Sequence, residues 1–434
     1  MVQRYIKKIY HASKSKEILR KMRFFLFWVV DGARKSLFFC CMGWLFVVTD
    51  CLYDMKIGFD GKRAVQNFTG LGNYSRYAIE ALVRYYPEVE YCVYVPKGVG
   101  NPRFEEVVAL SGDEIKVHLP TSGFARRLKS WWRIWGVTNE LQADGVQLYH
   151  GLSNELPLNI RSAQSVMSVV TVHDLIFRRL PWCYPFVDRM IYDYKCRHAC
   201  RNANHIIAVS ECTKRDIIKE YGVSSNKITV IYQGCDPLFA QAAAPEKVAE
   251  VKLKYSLPGK FVLSVGTIEE RKNLLSVVKA LELLPDDIHL VAVGRRTKYT
   301  ALIDKYVVEN GLEQRVHLLH GVPYADLPAI YQCADVFAYM SLYEGFGIPL
   351  LEALNSRVPV VAAMGSCLEE AGGPGSLYVA PFDVEAIAAA VKKCLQPEVK
   401  AEMVADGLRW ASRFSMEQFA HELMDCYGML LVGE

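Results

Sequence analysis

The chain has 434 residues, 51% hydrophobic and 23% charged, with a formal net charge of +4. That length exceeds a single small core and points to two domains. The composition excludes disorder, and so slight a basic excess over the whole chain excludes nucleic acid as a partner. Thirteen cysteines, an odd count without a C-x-x-C pair, read as reduced thiols of a cytosolic protein. Cys196, His198 and Cys200 lack the second pair of ligands that a zinc site needs, so no metal is expected.

Residues 1–54 differ from everything after them. Basic and polar residues fill 1–23, followed by Phe24–Val30, a charged break at Asp31, Arg34 and Lys35, and then Leu37–Val48. The second apolar run has 12 residues, short of the ~18–20 that cross a bilayer. The segment reads as a dispensable extension upstream of Met55, where Met-Lys-Ile-Gly-Phe-Asp opens a first strand. Docking of this basic, aromatic-rich stretch on an anionic membrane face is the alternative. No small-residue cleavage site marks a secretory signal.

From Met55 onward short apolar runs alternate with amphipathic stretches, the pattern of parallel sheets covered by helices. Strands are expected at Lys56–Phe59, Tyr91–Val95, Ile115–His118, Val146–His150, Ser168–Val172, His205–Val209 and Ile228–Ile231. Helices are expected at Asn73–Tyr86, Ala125–Leu141, Phe186–Arg201 and Glu211–Tyr221. A linker with one helix fills 236–258, and the alternation restarts. Strands come next at Phe261–Val265, His289–Gly294, Val316–Leu318, Asp335–Tyr339 and Val358–Ala362, with helices near Asn273–Leu284, Thr300–Asn310, Tyr324–Cys333 and Pro349–Asn355. Met416–Leu431 is a terminal helix. The expected architecture is α/β, two doubly wound domains over 55–238 and 239–414 with a terminal helix over 415–434, and ligands at the carboxyl ends of the strands.

Four motifs stand at such ends. In Glu344-Gly345-Phe346-Gly347-Ile348-Pro349-Leu350-Leu351-Glu352 the glycines and proline forbid one helix across both carboxylates. Glu344 should end a loop, and Glu352 should sit in the first turn of the next helix. Either the two bind sugar or ribose hydroxyls beside a phosphate on the helix start, or Glu352 merely favours the helix dipole. Gly266-Thr267-Ile268-Glu269-Glu270-Arg271-Lys272-Asn273 places two cations after a strand. They suit a diphosphate, or form a solvated cluster offset by Glu269 and Glu270. Thr69-Gly70-Leu71-Gly72-Asn73 comes after the first strand as a glycine turn and lets backbone approach a ligand. His173-Asp174 ends a strand, where the imidazole meets a substrate hydroxyl or local backbone. His150-Gly151 resembles it and is read as lining the same cleft, and Ser210 reads as an N-cap.

In this order and across two α/β halves, these motifs resemble the retaining glycosyltransferases of family four. Those enzymes have the GT-B fold, two Rossmann-like domains facing across a cleft. The resemblance covers residues 55–430, and Lys56-Ile57-Gly58-Phe59-Asp60 followed by Gly70-Leu71-Gly72-Asn73-Tyr74 is similar to the bacterial mannosyltransferase-like branch that builds surface polysaccharides. It implies an acceptor domain over 55–238 and a nucleotide-sugar donor domain over 239–414. Arg271 and Lys272 would hold the donor diphosphate, Glu352 the ribose, and Glu344 the hydroxyls of the transferred sugar. Gly70 and Gly72 would close on the diphosphate, His173 would contact the donor sugar, and the backbone at Gly321-Val322 would meet the base. Gly266, Gly345, Phe346 and Gly347 complete the implied donor site.

The implied reaction is retaining transfer of a mannose-like hexose from a GDP- or UDP-sugar to a glycan or lipid-linked oligosaccharide. The implied location is the cytoplasm or, peripherally, the inner face of the plasma membrane. The sequence has no Asp-x-Asp to anchor a diphosphate-bound metal, so charge neutralisation falls to side chains and neither metal nor other cofactor is expected. Rival readings are a sugar-nucleotide epimerase of the same fold, a nucleotide-sugar-binding scaffold without catalysis, and a peripheral membrane module.

Overall fold

The computed structural model describes residues 55–432 apart from 99, 112, 113, 122 and 124–126. The expectations for 1–54, and for the start of a helix at Ala125, lie outside the described residues. Seven strands form the first sheet: β1 Lys56–Asp60, β2 Glu90–Tyr94, β3 Ile115–His118, β4 Leu148–Gly151, β5 Met167–Val172, β6 His205–Ala208 and β7 Ile228–Val230. Six form the second: β8 Phe261–Val265, β9 His289–Val293, β10 Val316–Leu319, β11 Val336–Tyr339, β12 Val360–Ala363 and β13 Leu377–Val379. Five helices bear on the functional residues: α1 Gly70–Tyr85, α2 Phe186–Asn202, α3 Glu211–Tyr221, α4 Ile348–Asn355 and α5 Met416–Val432.

The strands are short and apolar because helices cover both faces of each sheet. Ile57, Phe59, Val336 and Phe337, for example, are fully buried. The sheet orders are β3-β2-β1-β4-β5-β6-β7 and β10-β9-β8-β11-β12-β13, and the registers are parallel, with Ile57 opposite both Tyr91 and Leu148. Each order reverses direction beside its first strand, between β1 and β4 and between β8 and β11. A crevice opens at such a point at the carboxyl ends of the strands. The expected doubly wound α/β architecture is the one observed.

Several elements differ from expectation. The segment read as one helix over Ala125–Leu141 is, where described, Lys129–Trp131, a wider π-type turn at Trp132–Gly136, and Val137–Ala143. Gly136 inside the run and Trp132, buried with its indole N–H on Glu140 Oε1 at 2.6 Å, accompany that break. Strand β13 and the helices Val384–Cys394 and Pro397–Ala411 have no counterpart among the expected elements. Asp383, whose carboxylate accepts from Ala386 N at 2.9 Å, is a legible N-cap for the first of these helices.

Helix α5 returns to the first sheet. Phe419 meets the rings of Tyr77 and Tyr74 at 5.2 and 6.0 Å. Tyr427 OH bonds His150 Nδ1 at 2.6 Å, and His150 Nε2 bonds Thr171 Oγ1 at 2.8 Å. His150 is therefore a core residue and lines no cleft. It is fully buried, and burial pushes its pKa down to about 3. Tyr427→Phe leaves a buried ring nitrogen unpaired and should cost about 1–3 kcal/mol in urea unfolding. A loss below about 0.5 kcal/mol would contradict this role for the terminal helix.

Candidate functional site

The second sheet's reversal point carries the charged residues. After β8 the chain passes Gly266, at φ +147, a conformation that L side chains rarely adopt. It then makes one tight turn over Glu270–Lys272, stopped by Asn273 in a left-handed conformation at φ +51. Asn273 is fixed on both sides: its amide donates to Pro381 O at 2.5 Å and its carbonyl accepts from Ser276 Oγ at 2.9 Å. After β11 come Ser341, Tyr343 and Glu344. The two loops are tied by Leu342 N donating to Arg271 O at 2.8 Å.

Glu344 is the hub. Its Oε1 accepts from Lys272 Nζ, from Ser341 Oγ at 2.5 Å and from Tyr339 OH at 3.1 Å, and it pairs with Arg271 Nη1 at 2.9 Å. Burial pushes the carboxyl's pKa up, but Lys272 and Arg271 outweigh it and hold it down at about 2. Burial lowers the Lys272 ammonium, and Glu344 recovers part of that loss. Arg271 also donates to Tyr343 O at 2.6 Å and to Glu269 Oε1 at 2.7 Å. With side chains only 13% and 17% exposed, Arg271 and Lys272 are not a solvated cluster. The structure joins the two cations expected at the diphosphate to the carboxylate expected at the sugar.

Glu352 lies one residue deeper than expected, just past the first turn. Helix α4 begins at Ile348 with Pro349 second, so Glu352 falls in the second turn. Its Oε2 accepts from Tyr331 OH at 2.8 Å. Burial, countered in part by that hydroxyl and reinforced by Asp236, pushes its pKa up to about 7. The two carboxylates of one motif are thus driven in opposite directions, one by cations and the other by their absence. Phe346, expected at the donor, has its ring buried between Tyr232 at 5.3 Å and Phe414 at 5.7 Å. Only its backbone is left to meet a ligand.

The first sheet approaches the cluster through His173. His173 Nε2 bonds Leu152 O at 2.8 Å, and its backbone N–H donates to Asn154 Oδ1 at 2.8 Å. Burial lowers the imidazole pKa to about 4. The ring is therefore neutral at pH 7, with its hydrogen on Nε2 toward the carbonyl and Nδ1 left as an acceptor. Gly345 is what lets the lobes meet here, since an added Cβ would lie 2.0 Å from His173 O. Ser210 caps α3 by accepting from Thr213 N at 3.0 Å and donates across the junction to Gly345 O at 2.6 Å. Glu370 receives Glu211 N, Cys212 N and Tyr232 OH at 2.7, 2.9 and 3.0 Å. Tyr343 OH donates to Asp216. The Asp174 carboxyl, raised by burial, feels Arg271 and Glu344.

Gly70 and Gly72 form the first turn of α1, not a loop before it. Asn67 Oδ1 accepts from Thr69 N at 2.7 Å and from Gly72 N at 3.3 Å, and a Cβ at Gly72 would strike Asn67 O at 1.9 Å. Packing on its own loop accounts for Gly72, whereas Gly70 faces open space. Val322, half-buried, comes after Gly321 beyond β10. Sequence reasoning missed Tyr331, Tyr339 and Ser341. The signal for Tyr339 and Ser341 is their place at the end of an apolar strand just before Glu344, whereas Tyr331 offers none.

The sequence matches two family models, Glycosyltransferase Family 4 over residues 68–238 and Glycosyl transferases group 1 over 249–407. It is 32% identical over 290 residues to the O-antigen chain mannosyltransferase B of Escherichia coli, covering 65% of this chain and 74% of that protein. It is 31% identical over 230 residues to the O-antigen chain mannosyltransferase RfbU of Salmonella typhimurium, covering 52% and 60%. In fold it is similar to Anabaena Alr3699/HepE, solved in complex with UDP and glucose, with a TM-score of 0.68, 18% identity and coverage of 86% and 99%.

The lobe junction makes its own prediction. Gly345→Ala forces a methyl group into the His173 carbonyl, which should cost about 1–3 kcal/mol of stability and shift His173. Calorimetric melting and turnover check it. A variant with the parental melting temperature and rate would refute the close approach.

Proposed function

The chain belongs to glycosyltransferase family 4 and is a GT-B-fold glycosyltransferase, and on that premise we propose that it is a retaining mannosyltransferase of surface-polysaccharide synthesis. Its donor is guanosine diphosphate mannose, and its acceptor is a glycan or lipid-linked oligosaccharide presented at the cytoplasmic face of a membrane. The mannosyl relatives support the sugar. The observation that carries the chemistry is the Glu344 hub, which fixes Arg271 and Lys272 in a largely desolvated position.

As the glycosyl–phosphate bond breaks, positive charge builds on the sugar and negative charge on the leaving diphosphate. Arg271 and Lys272, already fixed by Glu344, meet that charge as preorganised cations, which is what makes such groups effective in a dry site. Glu344 spends Oε1 on its cations and has Oε2 for a sugar hydroxyl. Held ionised at about 2, it carries no proton to exchange near neutrality, so it positions and does not act as an acid. Neutral His173 offers Nδ1 to another sugar hydroxyl. The acceptor hydroxyl attacks from the face the diphosphate leaves, and a phosphate oxygen takes its proton, so the anomeric configuration is kept. The sequence lacks Asp-x-Asp, and these cations neutralise the diphosphate without a metal.

Lys272→Met should lower turnover by about 10²–10³ while Glu344 keeps Arg271 as partner. Nucleoside diphosphate released from guanosine diphosphate mannose, read by mass spectrometry, measures it, and a rate within about twofold of the parent would sink the assignment. Arg271→Ala is a poorer test, because the guanidinium also holds the Tyr343 carbonyl. Burial raises the Glu352 pKa to about 7, so its charge changes near neutrality. Below about 7 the carboxyl is protonated and loses acceptor capacity toward the ribose diol. The donor's KM should therefore rise as pH falls from 8 to 6, whereas Glu352→Gln should show a high KM flat across that range. A parental KM that stays constant would remove Glu352 from the ribose.

A further inference from the structure

Helix α2 presents an apolar stripe to solvent. Phe186, Val187, Met190, Ile191 and Tyr194 recur at helical spacing and, with Trp182 just before them, are 45–65% exposed. The helix's buried residues, Cys196, Ala199 and Cys200, all lie in its carboxyl half, and none of its first ten residues is buried. An exposed apolar stripe of this extent on a folded protein marks a surface that another phase or molecule covers. Leu128 and Trp135, also exposed, lie on the segment next to it.

Two further observations select the occupant. The first is charge. Residues 121–138 contain no acid; Arg133, Arg178, Arg179, Lys195 and Arg197 are held in ion pairs, so the charge this face offers comes from Arg127, Lys129 and Arg189, set against Asp188. Arg127 and Lys129 are exposed, and the Arg189 guanidinium lies over the Phe186 ring at 5.3 Å. Apolar side chains interleaved with cations are complementary to a bilayer with anionic headgroups.

The second is continuity with the site. Met190, Ile191 and Tyr194 form one wall of a pocket of about 240 Å³ whose floor is charged. There Arg133 donates to Asp60 from Nε at 2.9 Å and to Glu155 from Nη1 at 2.7 Å, and Lys195 meets Glu155 at 3.3 Å. Asp60 ends β1, and Glu155 comes directly after Asn154, the residue that holds the His173 backbone. The pocket therefore opens at the carboxyl edge of the first sheet, between the stripe and the place assigned to the donor sugar.

We propose that this face seats the protein on an anionic bilayer and that the pocket over Arg133 is the entrance for the polar head of a membrane-anchored acceptor. The bilayer contact stands on the stripe and the charge alone; the acceptor entrance rests on the transferase reading. The arrangement brings the lipid-borne hydroxyl to His173 without removing the lipid from the membrane.

Hydrogen-exchange mass spectrometry of the full chain tests the contact, with and without vesicles of phosphatidylcholine containing about 30% phosphatidylglycerol. Exchange over residues 182–195 should slow by roughly threefold or more on the vesicles, and not on phosphatidylcholine alone. The double variant Met190→Glu, Ile191→Glu should bind the anionic vesicles about tenfold less at an unchanged melting temperature. Should that variant fail to fold, Phe186→Ser with Val187→Ser replaces it. Unchanged exchange over 182–195, or no vesicle binding by the parent, overturns the proposal. So does a variant that alters only self-association, which would mark a protein interface. Stabilisation by guanosine diphosphate is measured in the same samples; its loss in the parent would sink the transferase reading and leave the membrane contact standing.

Discussion

One buried carboxylate oxygen, Glu344 Oε1, organises the second lobe's site. An isolated ionised carboxylate in a dry loop junction would cost several kcal/mol, and so would either cation alone. Together they hold one another in place, with Tyr339 and Ser341 hydroxyls filling the remaining positions on the oxygen. The consequence is geometric. Lys272 arises from the turn after β8 and Glu344 from the loop after β11, so their pairing clamps the two sides of the reversal point where a ligand must enter.

The same motif carries its opposite eight residues on. Glu352 has a tyrosine hydroxyl where Glu344 has two cations, and burial dominates its ionisation. Between them Gly345 gives up a side chain so that the lobes can touch at His173, and Phe346 spends its ring on packing. Within nine residues the chain thus places an ion-pair anchor, a lobe contact, a core plug and a titratable carboxylate. The surroundings of each side chain decide its role, and its distance along the sequence does not.

Much of this was legible from periodicity. Parallel strands buried on both faces announce themselves as apolar runs, and the ends of those runs located Gly266, His173 and Glu344. The alternation revealed where the strands of both halves lie, except β13, whose three residues are too short to stand out. Partnership was not legible. Nothing in the sequence says that Lys272 and Glu344, 72 residues apart, share one oxygen, or that His150 and Tyr427 meet through 277 residues of chain. His150 and His173 both end strands beside small or acidic residues, yet one is core and the other lies at the lobe junction against Gly345. Which it is depends on whether α5 covers it, a fact of tertiary packing. The helices start at Gly70 and Ile348, three residues and one residue before the expected Asn73 and Pro349, for a local reason: Asn67 Oδ1 accepts from Gly72 N in one first turn, and proline takes the second position in the other.

The central claim is that the Glu344-anchored cations receive the donor's diphosphate. A crystal structure of the enzyme with guanosine diphosphate mannose tests it most directly. Diphosphate oxygens should lie at about 2.7–2.9 Å from Lys272 Nζ and the Arg271 guanidinium, with the ribose on Glu352. A diphosphate bound elsewhere, with both cations still paired only to glutamates, would contradict it.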